Sequence, residues 1–213
     1  MIKLMILLGV SMILAYCSQN GILVVPLTQK RKLDIPLIVM VIMLTILVGL
    51  RTQYDDTQNY ASTFVDCPTV SKYLDSDPDF FSNPLFYIVQ SYFRHNVMNN
   101  YHLFFFVIAI FTLTCILWFI RKYSSNFPFS MLIFFSIGMI LVPMSAMKQG
   151  LAIAVAVIAI DQLLKGHYIR FYLILTIAVL FHAYAILLVV LPLFIGRPWT
   201  IFTYVTIGAV VFV

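Results

Sequence analysis

The residues able to do chemistry gather in three short segments. The first runs from Gly49 to Tyr60 and packs a cation (Arg51), two carboxylates (Asp55, Asp56) and two phenols (Tyr54, Tyr60) into twelve positions. Cations bind anions, and carboxylates take protons, so this grouping suits either task. Arg and Tyr also favour membrane headgroup depth on their own account, which would make the segment a plain interfacial anchor. The second segment is Lys148-Gln149, between two apolar runs. A lysine there either snorkels to water or faces an internal site, and Gln149 beside it is a second polar group that the apolar surroundings do not ask for. The third is His182, eleven residues into the apolar run 171–194. An ionisable group at such depth is expensive and faces a bundle interior or wet cavity. The plainer alternative is a neutral imidazole bonded to a neighbouring helix.

Other polar features carry less. Six of the eight Asp fall between 51 and 101, and Asp66, Asp75, Asp77 and Asp79 read as a solvated acidic loop. The string Asp75-Ser76-Asp77-Pro78-Asp79 resembles the start of a calcium loop. It has Phe80 and Phe86, however, where an EF-hand needs Gly and Glu. Its DxD triplet is short enough to recur by chance in an Asp-rich segment. Asp161 has Lys165 four residues on, a helix-surface pair. Cys17 and Cys115 lie in apolar runs and Cys67 stands alone, so neither a disulfide framework nor a CxxC metal site exists. With no Gly-rich phosphate loop, HExxH or GxSxG, nucleotide-driven pumping and zinc-protease chemistry have no support. No cofactor or metal is called for.

The elements that must position these groups are membrane helices. The chain is 62% hydrophobic and 10% charged, whereas soluble domains run near 25% charged. So few charges cannot clothe a surface in water. The +5 net charge is scattered, without the basic face that nucleic acid requires. Seven apolar runs reach or approach the roughly 17–25 residues of a span: 4–27, 35–50, 102–120, 129–147, 150–164, 171–194 and 199–213. The expected fold is an all-α transmembrane bundle of about seven spans in one integral domain over 1–213. Segment 51–101 forms an external loop, and 83–93, rich in aromatics at helical spacing, lies as an interfacial helix with its apolar face in lipid. Ser18-Gln19-Asn20 marks an exposed helix end or a polar patch against a neighbour.

Charge sets the orientation. With the N-terminus outside, segments 28–34, 121–128 and 165–170 lie in the cytoplasm and hold seven Lys/Arg over 21 residues, against six over the 64 outer ones. The basic cluster Lys30-Arg31-Lys32 follows the first run, which favours a retained helix over a cleaved signal peptide. The last run is apolar to Val213, so the sequence reads as C-terminally truncated.

Four motifs in order resemble the EpsG family of Wzy-type polysaccharide polymerases. They are Gly49-Leu50-Arg51 followed by Asp56-Thr57-Gln58-Asn59-Tyr60, then Asn83-Pro84-Leu85-Phe86, then Lys148-Gln149-Gly150-Leu151-Ala152, and last Phe181-His182-Ala183-Tyr184-Ala185. The match spans about 45–195. Three departures stand out: Lys148 where the family usually has Arg, Asn83 where it has Glu, and Tyr54-Asp55 where it has Gly-Thr.

The resemblance implies glycosyl transfer on the outer face of a bacterial cytoplasmic membrane. A polyprenyl-diphosphate-linked oligosaccharide would be the donor, with other polysaccharide-assembly proteins as possible partners. Arg51 and Lys148, with Gln149 and Tyr60, would bind the lipid diphosphate and sugar. Asp56 or His182 would take the acceptor's proton. A transporter or flippase of lipid-linked sugars, or a non-catalytic assembly subunit, is the competing class. A flippase path asks for charge along several helices, whereas here the charges gather at the outer edge. The site reading requires His182 to face the same cavity as Lys148 and Arg51. An unbroken helix would set it on one face with Ala178, Phe181, Ala185 and Val189.

Overall fold

The computed structural model describes residues 2–28, 31–52, 54–76 and 83–195, with isolated positions 201, 205 and 208. The expected last span and the DxD residues Asp77 and Asp79 lie outside the described residues, as does Lys30. The architecture is almost entirely helical: α1 (Ile2–Gln19), a hairpin of β1 (Val24–Thr28) and β2 (Arg31–Asp34), α2 (Ile35–Gly49), α3 (Thr57–Val65), α4 (Val70–Ser76), α5 (Pro84–Tyr92), α6 (Tyr101–Tyr123), α7 (Phe127–Ser136), α8 (Val142–Ser145), α9 (Met147–Leu164) and α10 (Tyr168–Phe181). A π-helical turn, Phe93–Val97, follows α5, and a 3-10 segment, Ala183–Leu193, follows α10.

Local chemistry sets several starts. Asp34 accepts from the Leu37 amide at 3.1 Å and Pro36 sits in the first turn of α2. Asn100 accepts from the His102 and Leu103 amides to begin α6, and Arg121 and Lys122 close it against the negative helix end. Asn126 caps α7. At α9 the cap is Ala146, which offers no side-chain acceptor. Its first amides must find partners elsewhere.

α6 is the central post, packed against α2 on one side and α9 on the other, and α10 lies along α9. One core gathers Phe64 of α3, Phe86 of α5, Phe104 and Phe105 of α6, Leu151 of α9 and Phe171 of α10. A second gathers Met40 and Leu44 of α2, Leu113 and Leu117 of α6, and Phe127 and Met131 of α7. Large apolar side chains stay exposed in stripes at helical spacing, Ile38, Ile42 and Ile46 on α2 and Ile169, Leu173, Ile177 and Leu180 on α10. Unbroken apolar stripes of this kind suit lipid and not water.

Of the seven expected spans, two helices, Tyr101–Tyr123 and Met147–Leu164, are long and apolar enough to cross a membrane. The other apolar helices described are shorter. Three runs are interrupted. The first ends at Gln19, with Gly21 at φ 72° turning the chain into the hairpin. The fourth stops at Ser136, where Gly138 at φ 73° redirects it and Pro143 opens the short α8. The sixth breaks at His182. The expected lipid-facing helix at 83–93 also differs. Its apolar face, carrying Phe86 and Phe93, packs on α3 and α6 inside the protein, not into lipid.

The polar ends sort cleanly. Arg121 donates to Ser18 Oγ at 2.6 Å and pairs with Asp34 at 3.4 Å, and Gln19 accepts from the Phe127 amide at 2.6 Å. So Ser18 and Gln19 are both helix end and polar patch. Beside Arg121 at the end of α6, Lys122 pairs with Asp161 of α9, which also pairs with Lys165 and accepts from Tyr123. The i,i+4 pair is thus one arm of a larger cluster. Arg51, Tyr60, Lys148 and His182 belong to the opposite helix ends.

Gly49 sets how closely α2 meets α6, because a Cβ there would stand 2.8 Å from Phe106 Cα. Backbone cannot yield as a side-chain tip does. Gly49→Ala is therefore expected to cost roughly 1–3 kcal/mol through overpacking, read as a lower unfolding midpoint in detergent.

Candidate functional site

Arg51 leaves the end of α2 and turns back into the protein, where it is 6% exposed. Its Nε donates to Thr57 Oγ1 at 3.2 Å and its Nη1 to the Val48 carbonyl at 2.9 Å, and Thr57 in turn donates to the Tyr54 carbonyl. The guanidinium carbon lies 4.7 Å from the centre of the Phe105 ring. Burial pulls its pKa down to about 10, with Tyr60 acting against that, so it stays cationic at neutral pH. Nη2 is buried and has no hydrogen-bond partner among the described residues.

Tyr60 is the hub. It lies one turn into α3, its ring edge-on to Phe86 with centroids 6.0 Å apart. The uncapped amides of Lys148 and Met147 at the start of α9 face its hydroxyl. Burial, more than any other cause, pushes its pKa up; Asp56 adds to this, while the two amides and Arg51 oppose it. Asp56 itself is exposed at the first position before α3 and makes no side-chain cap.

Lys148 is half-buried. Its Nζ donates to the Tyr87 hydroxyl at 2.8 Å and sits 4.4 Å from the Tyr87 ring centre and 5.4 Å from that of Phe86. Two aromatic faces attract an ammonium placed over them. Gln149 is exposed beside it.

His182 has extended backbone, φ −159° and ψ 121°, between α10 and the 3-10 segment. Ala178 and Phe181 are buried ahead of the break and Val189 is exposed beyond it, so the single expected helical face does not exist. The imidazole Nδ1 lies 3.1 Å from Asn83 Oδ1, and its ring meets Tyr184 edge-on at 5.1 Å. An amide oxygen only accepts, so with that amide assignment Nδ1 carries the proton and Nε2 the lone pair. Lys148 is close enough to act on the imidazole electrostatically.

The structure thus joins Arg51, Asp56, Tyr60 and Lys148 through Tyr60, and brings His182 to the same end through Lys148. Gln149 reaches the neighbouring groove of about 310 Å³ that His182 also lines. Sequence reasoning missed Tyr87 of α5 and Asn83, the residue just before it, as site members. The signal available was the Phe86, Gln90, Phe93 spacing, which marks one buried face. Among the described residues no group of three or more His, Cys, Asp or Glu side chains could hold a metal ion.

Fold and site together define a helical membrane protein with a cation-rich, aromatic-walled polar site at one end of its helices. The EpsG family model matches residues 34–213, and the chain belongs to the EpsG family. That membership makes it a membrane protein of polysaccharide biosynthesis. No curated protein and no solved structure matches it.

Proposed function

We propose that this protein joins lipid-diphosphate-linked oligosaccharide units into polysaccharide by glycosyl transfer at the outer face of a bacterial cytoplasmic membrane. One observation carries the reading: a buried Arg51 with an unpartnered Nη2 acts on Tyr60, and Tyr60 also faces the start of α9, where a half-buried Lys148 rests on Tyr87 and Phe86. Two cations are what a departing diphosphate needs. The acceptor hydroxyl oxygen attacks the anomeric carbon, the bond from that carbon to the diphosphate oxygen breaks, and the hydroxyl proton passes to a base. His182 Nε2 is that base in this reading, with Asn83 holding the ring in the required tautomer. Asp56, exposed at the rim, serves if the acceptor enters from the water side.

The orientation rests on charge. Lys32, Arg121, Lys122, Lys165 and Arg170 lie at the end away from the site, where a cytoplasmic face carries its cations. Purified protein in vesicles, given a lipid-diphosphate oligosaccharide alone, is expected to produce a ladder of multiples of the repeat unit with release of lipid diphosphate. Donor movement across the bilayer without any ladder would overturn transfer in favour of transport.

A further inference from the structure

We infer that the trough between α9 and the 3-10 segment seats the isoprenoid chain of the lipid-diphosphate donor; this rests on the transfer reading above. α10 packs along much of α9, but after the break at His182 the 3-10 segment barely touches it. The two chains part there, and the gap is the groove of about 310 Å³. Its floor on α9 is Gln149, Ala152, Ile153 and Ala156, positions on one helix face spanning about 10 Å. Ala185 and Leu188 line the opposite wall. At Ala152 and Ala156 the small side chains leave depth that a larger one would fill.

What commits the trough to this occupant is its polar end. Gln149 adjoins Lys148 in the chain, and His182 stands within electrostatic reach of Lys148. A chain lying in the trough would therefore have its charged head beside Lys148 and its tail along the alanines. Two other apolar grooves exist. One lies between α6 and α7, around Phe119, Ile133 and Phe134; the other lies between α1 and α2, around Leu7, Ile42 and Met43. Neither includes His182 or Gln149, two polar residues that line the trough.

Two measurements test this. Donors with a long and a short isoprenoid chain are compared on wild type and Ala185→Phe, a change on the half-buried wall. The long-over-short ratio of kcat/KM is expected to fall by about tenfold in the variant, the loss of a few buried methylenes. An unchanged ratio would overturn the proposal. Independently of turnover, a diazirine-bearing isoprenyl diphosphate is expected to label peptides 149–156 and 184–188, with competition by unlabelled isoprenyl diphosphate but not by phospholipid. Labelling competed equally by phospholipid would make the trough a bulk-lipid contact and overturn it. Labelling as expected in a protein that forms no polymer would keep the trough and sink the transfer reading instead.

Discussion

Polymer formation is expected to stop when Lys148 becomes methionine, while the protein still reaches the membrane and keeps its unfolding midpoint. Methionine preserves the unbranched stem that lies on Phe86 and Tyr87 and removes only the charge. Loss of one cation aimed at developing negative charge costs roughly 10²–10³ in rate. Lys148→Arg is expected to retain activity, because a guanidinium keeps the charge and adds a fork suited to diphosphate oxygens. Arg51→Lys offers the sharper contrast. A lysine cannot reach Thr57 and Val48 together while leaving a third donor free, so a fall comparable to Lys148→Met is expected. Polymer ladders, kcat and detergent melting curves check all three. Wild-type ladders from Lys148→Met would leave Lys148 as a snorkelling residue.

The second large effect concerns His182. His182→Ala is expected to lower kcat by about 10²–10⁴, the usual yield of a positioned general base. Asn83 gives the test that mere packing cannot imitate. Asn83→Asp sets a carboxylate against Nδ1–H and favours the imidazolium, the form that has lost its lone pair. The acid limb of the pH–rate profile is therefore expected to move to higher pH in Asn83→Asp, with the maximum rate largely kept. An unmoved acid limb, together with full activity in His182→Ala, would hand the base role to Asp56.

How much of this was legible in the sequence differs by element. α6 and α9 follow from unbroken apolar runs, and the gathering of Arg51, Tyr60, Lys148 and His182 follows from alternating the runs. The break at His182 was not legible. No Pro or Gly marks it, and the run 171–194 reads as continuous. The partner that the His182 ring finds there, Asn83, lies 99 residues earlier. Pro143 and Gly138 did mark the fourth run's break, but proline near a run end is also what an intact span shows. The inward packing of α5 escaped for another reason. Its amphipathic pattern says that one face avoids water, and lipid and protein satisfy that equally.

That packing has a consequence for how the protein is made. Phe64 and Phe86 fill the core formed with α6, α9 and α10, yet both leave the ribosome before any of those helices. The segment carrying them cannot close its core until residue 171, where Phe171 enters it, has been synthesised. A nascent chain halted at residue 140 would therefore hold Arg51 and Tyr60 without Lys148, and with Phe86 lacking much of its packing. Protease should cut such a chain readily between 57 and 92, and that sensitivity should vanish abruptly once α10 is released. Assembly of the site is thus a late event in biogenesis, coupled to long-range contacts such as that of Asn83 with His182.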